Sequence, residues 1–135
     1  MKGVRQCRLI ELPRVEDVRG SLSFVEEEHA SFPIQRVYWI YDVPGGQRRG
    51  GHGYRELEEV IVALSGSFDV VADDGESVRR WTLNRAYIGL YVPNMLWRTL
   101  ENFSTNGVAL VLASRAYAEA DYIRNYEEFR DLTRS

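Results

Sequence analysis

PGGQRRGGHGYRELEEVIVALSGS, residues 44–67, begins as a glycine-rich loop and ends as an apolar strand. Residues 44–51 contain four glycines and two adjacent arginines, a loop composition. Residues 57–64 are apolar apart from Glu58 and Glu59, and Ser65-Gly66 closes them with a turn signal, so a strand is expected there. Gly46, His52, Tyr54, Glu59 and Gly66 are separated by five, one, four and six residues. On extended backbone His52 and Tyr54 share a face, because side chains alternate with a period of two.

Outward from this stretch the chain reads as more short strands. Residues 34–43 (IQRVYWIYDV) are rich in the β-branched and aromatic side chains that suit strands. Residues 8–12, 22–25, 68–72, 78–83, 87–92, 96–100 and 108–113 complete the series, and Asp73-Asp74-Gly75-Glu76 signals a hairpin. Strands at this spacing imply an all-β sandwich or barrel. Tyr122, Ile123, Tyr126 and Phe129 recur at helical spacing, which predicts one C-terminal helix over residues 118–132. No linker or repeat interrupts residues 1–135, so a single domain is expected.

Composition narrows the function classes. The 135 residues are 44% hydrophobic and 27% charged, a globular balance. A net charge of −3 argues against a general nucleic-acid binder. No apolar run approaches the ~20 residues that span a bilayer. One cysteine, Cys7, excludes an intrachain disulfide and suits a reducing cytoplasm. All cations but Lys2 are arginines, the better fork for phosphate and carboxylate.

The spacing from Gly46 to Gly66 resembles the first motif of the cupin superfamily, and Gly89, Pro93 and Arg98 shadow the second. The resemblance implies a double-sheet jelly-roll β-barrel. Cupin metal sites use three histidines and a glutamate. Here Tyr54 replaces the second histidine and Arg98 the third, and arginine stays protonated. No metal site is therefore expected.

A closer resemblance covers residues 8–129. RVYWIYDV, RRGGHGYRELEEVIVALSGS, YIGLYVPNMLWRTL, RGSL at residues 19–22 and the ending DYIRNYEEF are similar to the sugar-nucleotide 3,4-ketoisomerases, the small cupin-like enzymes related to the WxcM-like proteins. The resemblance implies an enzyme that moves the carbonyl of a dTDP-linked 4-keto-6-deoxyglucose from C4 to C3, ahead of 3-amino-deoxysugar synthesis. It also implies no metal or other cofactor, and a homodimer that exchanges N-terminal strands. Leu9–Leu12 is the apolar segment expected to pair in trans.

The carbonyl shift needs a base for the C3 proton, a donor for the enediol oxygens and an acid for C4. Histidine is the side chain suited to such transfers near neutral pH. His52 occupies the family's catalytic histidine position. Tyr54 stands where a second histidine is usual and could donate a proton. Tyr38 is favoured over Tyr41 as the inward-facing phenol of its strand. Arg98 could stabilise an enediolate or grip the diphosphate, and Glu59 reads as a buried hydrogen-bonding group of the substrate site. Arg19 and Arg49 are the candidates for the phosphates. Two other readings stay open: a catalytically altered module that only binds a nucleotide sugar, and a metal cupin such as a dioxygenase, which Tyr54 and Arg98 disfavour.

Overall fold

A computed structural model describes residues 3–134, so Lys2 lies outside the described residues. Twelve strands follow in chain order: β1 Arg8–Glu11, β2 Arg14–Asp17, β3 Gly20–Ser23, β4 Arg36–Ile40, β5 Arg49–Tyr54, β6 Glu59–Ser65, β7 Phe68–Asp73, β8 Val78–Leu83, β9 Ile88–Val92, β10 Trp97–Glu101, β11 Val108–Ala113 and β12 Tyr122–Ile123. Helix α1 (Glu27–Ala30) lies between β3 and β4, and α2 (Tyr126–Thr133) follows β12.

Two five-stranded antiparallel sheets carry the fold, in the orders β1-β9-β6-β11-β4 and β12-β5-β10-β7-β8. They face each other across a core that includes Ile61, Phe68, Val70, Leu90, Leu100 and Val111. Among the described residues no strand pair joins the two sheets, so the jelly roll is an open sandwich rather than a closed barrel. The central strand β6 is buried on both faces. Ile61 and Ala63 point into the sandwich, while Val60 and Val62 lie under Ala30 and Phe32. That double burial explains the unbroken apolar run VIVAL, which alternation alone would not produce.

Strand β1 pairs with β9 of its own chain, Leu9 opposite Leu90. Within the one chain described, the Leu9–Leu12 segment expected to pair in trans lies along the outer edge of β9. The element that projects is the β2–β3 hairpin, exposed at every strand position.

The C-terminal segment departs from the single helix expected over residues 118–132. Glu119–Asp121 form a 3-10 turn, Tyr122–Ile123 a strand, and the helix starts only at Tyr126. The Asp121 carboxylate accepts the Glu56 and Leu57 amides at 2.8 and 3.1 Å, which holds the turn against the β5–β6 loop. Tyr122 and Ile123 then pair with Tyr54 and Gly53. Asn125 caps α2 by accepting the Glu128 amide at 3.0 Å, and Phe129 buries the helix on the sheet. A Cβ on Gly53 would lie 3.0 Å from the Leu96 carbonyl oxygen and 3.3 Å from the Phe129 ring, so glycine permits this close seating. The loop expected over residues 44–51 likewise ends early, because β5 begins at Arg49 alongside β10.

Candidate active site

A cavity of about 380 Å³ opens between the two sheets at the end where β4, β5, β10 and β12 meet. It gathers His52 and Tyr54 from β5, Tyr38 from β4 and Arg98 from β10, with Arg49 at its rim. Register explains the convergence. His52 lies opposite Arg98 across β5–β10, and Tyr54 opposite Tyr122 across β5–β12. Tyr41, by contrast, lies on exposed surface outside this cavity.

The floor is a charged network. Arg98 donates to Glu59 through Nε (2.6 Å) and Nη2 (3.1 Å), to Tyr38 Oη through Nη2 (2.8 Å) and to the Gly50 carbonyl through Nη1 (2.8 Å). Tyr38 in turn donates to Glu59 Oε2 at 3.3 Å. Burial works against the Arg98 cation, but the Glu59 carboxylate outweighs it and holds the guanidinium well above its usual range. Gly50 sits at φ +72°, and a Cβ there would lie 2.0 Å from Arg98 Nη1. Only glycine lets the backbone come this close and take this conformation.

Above the floor, His52 Nε2 and Tyr54 Oη are 2.8 Å apart. Among the described residues Nδ1 of His52 has no hydrogen-bond partner. Burial, with the Arg98 and Arg124 cations, lowers the imidazole to about 3, so it is neutral at physiological pH. Burial, reinforced by Glu59, raises Tyr38 to about 12 and also raises Tyr54. Both phenols therefore keep their protons. The site thus offers one neutral nitrogen base beside two phenols, over a fixed cation.

The donors of the cupin frame are committed elsewhere: His52 to Tyr54, and Glu59 to Arg98, which stands where a third donor would be. This set does not suit a metal ion. The Arg49 side chain is exposed and has no hydrogen-bond or ion-pair partner among the described residues, an available cation at the rim. Arg19 is not brought to this cavity. It lies on the turn of the β2–β3 hairpin, where it pairs with Asp17 at 2.6 Å.

The lining residues that escaped the sequence reading include Arg36, Tyr122 and Arg124. Its spacing with Tyr126 and Phe129 places Tyr122 on a helical face, and no local pattern marks a two-residue strand. The signal that could have found it is Asp121, a turn-forming carboxylate just before the tyrosine.

The chain is similar to known proteins over nearly its whole length. Residues 5–134 match the family described as FdtA, WxcM-like, C-terminal. The chain is 42% identical over 124 residues, 91% of its length and 89% of the relative's, to a TDP-4-oxo-6-deoxy-alpha-D-glucose-3,4-oxoisomerase of Aneurinibacillus thermoaerophilus. It superposes on the WlaRB TDP-quinovose 3,4-ketoisomerase of Campylobacter jejuni with a TM-score of 0.90 and 41% identity, covering 95% of this chain and 99% of that one. A histidine-to-asparagine variant of the QdtA 3,4-ketoisomerase from Thermoanaerobacterium thermosaccharolyticum, in complex with TDP-4-keto-6-deoxyglucose, gives 0.94 at 32% identity, covering 97% and 96%. With its whole cavity-bearing body matched in this way, the chain belongs to the WxcM-like, C-terminal (FdtA) family.

Proposed function

We propose that this chain is a sugar-nucleotide 3,4-ketoisomerase acting on dTDP-4-keto-6-deoxyglucose, with its product destined for a 3-amino-deoxysugar. The observation that carries the reading is the neutral His52, tied to Tyr54 in an arginine-rimmed cavity. The family relatives supply the substrate class.

In the proposed reaction His52 Nδ1 takes the proton from C3. The C3–H electron pair becomes the C3=C4 double bond, and the C4 carbonyl pair moves onto O4. This requires the tautomer in which Nε2–H donates to Tyr54 Oη. The Tyr54 hydroxyl hydrogen is then free to serve the enediolate oxygen. O4 gains a proton and O3–H loses one. The imidazolium returns its proton to C4, and the carbonyl stands at C3. The change is redox-neutral within one sugar, so no external cofactor enters the balance.

Arg98 acts here as a fixed charge beneath the reacting carbons, since its three nitrogens are committed to the protein. Preorganised charge of this kind stabilises a developing enediolate without reorganisation. Glu59 holds that charge and Tyr38 in place. Arg49 takes the diphosphate, where a planar multi-donor cation is favoured.

The active form we propose is a cytoplasmic homodimer. The β2–β3 hairpin supports it, because Val15 and Leu22 are 57% and 59% exposed on an arm that projects from the sandwich. A partner reached by this hairpin would bring Arg19 toward a second copy. No helix is long and apolar enough to cross a membrane among the described residues.

The deciding experiment is incubation with dTDP-4-keto-6-deoxyglucose in deuterated water, followed by NMR. We expect accumulation of the 3-keto sugar with deuterium at C4, and deuterium at C3 of the recovered 4-keto sugar. Tight binding without exchange would instead establish a nucleotide-sugar binding module.

A further inference from the structure

Tyr122 touches the proposed base but has no part in the proton transfers above. Its ring centroid lies 4.9 Å from the His52 imidazole and 4.8 Å from the Tyr54 ring. The imidazole is thereby wedged, edge-on to Tyr54 at 80° and tilted against Tyr122 at 51°. Tyr54 fixes one nitrogen by a hydrogen bond, and Tyr122 limits how far the ring turns about that bond.

Tyr122 is itself braced. The Arg124 guanidinium stacks over its ring at 4.2 Å, and Glu119 grips that guanidinium through Nε at 2.7 Å and Nη2 at 3.0 Å. Arg36 Nη1 donates to the Tyr122 hydroxyl at 3.4 Å. The ring packs against the cluster of Tyr54, Leu57 and Ala113, and it is not the segment's only anchor. The neighbouring Ile123 and Phe129 are fully buried, and Asp121 ties the turn to the β5–β6 loop. Tyr122 remains only half-buried, at the cavity wall.

We propose that Tyr122 is a positioning residue for His52: it packs the imidazole so that the unpartnered Nδ1 keeps facing the bound sugar, while Arg124 and Glu119 hold the Tyr122 ring. This rests on the ketoisomerase reading and adds a residue to it. Ångström-level misplacement of a reacting group can lower a rate by about 100-fold.

The test compares Tyr122→Phe, which keeps the ring, with Tyr122→Met, which fills similar space without one. We expect the Phe variant to keep kcat within about threefold and the Met variant to lose about 10- to 100-fold, with KM nearly unchanged. A second readout needs no substrate. The chain has two histidines, so imidazole NMR resolves His52 once His52→Asn assigns it. The charged groups that bear on the imidazole are Arg98 from β10 and Arg124 and Glu119 from the C-terminal segment, and all remain in Tyr122→Met. Water reaching the uncovered face should raise the pH at which His52 titrates.

Glu119→Ala, at an exposed position, covers the case in which the Met variant fails to fold. It should lower kcat in the same direction by a smaller factor. Wild-type kcat in the Met variant, equal losses in Phe and Met, or an unmoved His52 titration would overturn the proposal. So would a misfolded Met variant together with an unchanged Glu119→Ala. If the wild-type protein forms no 3-keto sugar and exchanges no deuterium at C3, the ketoisomerase reading fails, and the His52 titration alone decides whether Tyr122 orders the imidazole.

Discussion

Glu59 receives Arg98 through two parallel hydrogen bonds, with both side chains 1% exposed. A buried ion pair of this geometry is expensive to halve, because the remaining charge has neither water nor partner. Glu59→Ala should destabilise the fold by about 3–5 kcal/mol. Denaturant melts should show a lower midpoint with little change in slope. An unchanged midpoint would mean that water or another group neutralises Arg98.

His52→Asn should leave the melting temperature near wild type and reduce C3 deuterium exchange by about 10²–10⁴-fold. Tyr54→Phe should lose less, since a phenol held above its usual range orients and donates but is no resting base. The reverse ranking would make Tyr54 the proton carrier.

Acid should expose the neutral burial of His52. Its folded pKa is lowered from 6.5 to about 3, chiefly by burial and then by Arg98. Between those values the unfolded chain binds a proton that the folded chain does not. The stability from neutral burial is therefore complete above about pH 6.5 and is lost as pH falls toward 3. Stability of the wild type should decline more steeply from pH 7 to 4 than that of His52→Asn. Parallel profiles would show that the imidazole is hydrated in the folded state.

Arg49→Ala should weaken dTDP binding by about 10- to 100-fold, the range of one to two charge-assisted hydrogen bonds. Calorimetry reads this without chemistry. If the proposed dimer seats one copy's hairpin at the other's cavity, Arg19→Ala should weaken binding in the dimer alone. Mixed dimers of Arg19→Ala and His52→Asn should then regain activity that neither parent has. Absence of that complementation would place Arg19 outside the site.

Much of the site was legible because its residues share one short frame. His52, Tyr54 and Glu59 lie within eight residues, and period-two alternation puts the first two on one face. Arg98 was reachable through the second motif. The glycine-rich start of β5 hid that strand's beginning, since Arg49-Gly50-Gly51 takes its strand conformation from β10 rather than from local preference. The C-terminal wall was hidden for the same reason. Tyr122 and Ile123 are extended only because Gly53 and Tyr54 pair with them, and helical spacing gave the opposite signal. Helix α1 is one turn long, held by His29 Nδ1 accepting the Glu26 amide at 2.9 Å, too short for periodicity to show.

Gly50 and Arg98 also constrain the order in which this site can change over generations. A side chain at position 50 collides with the guanidinium while Arg98 stays, so Gly50→Ala is barred as a first step. Shortening position 98 first removes the collision but leaves Glu59 buried without its partner, and what position 50 then faces is left-handed backbone strain of about 1–3 kcal/mol. The path is therefore directional: the cation beneath the sugar must be surrendered before its glycine can be replaced. Lineages that retain the arginine should retain the glycine with it.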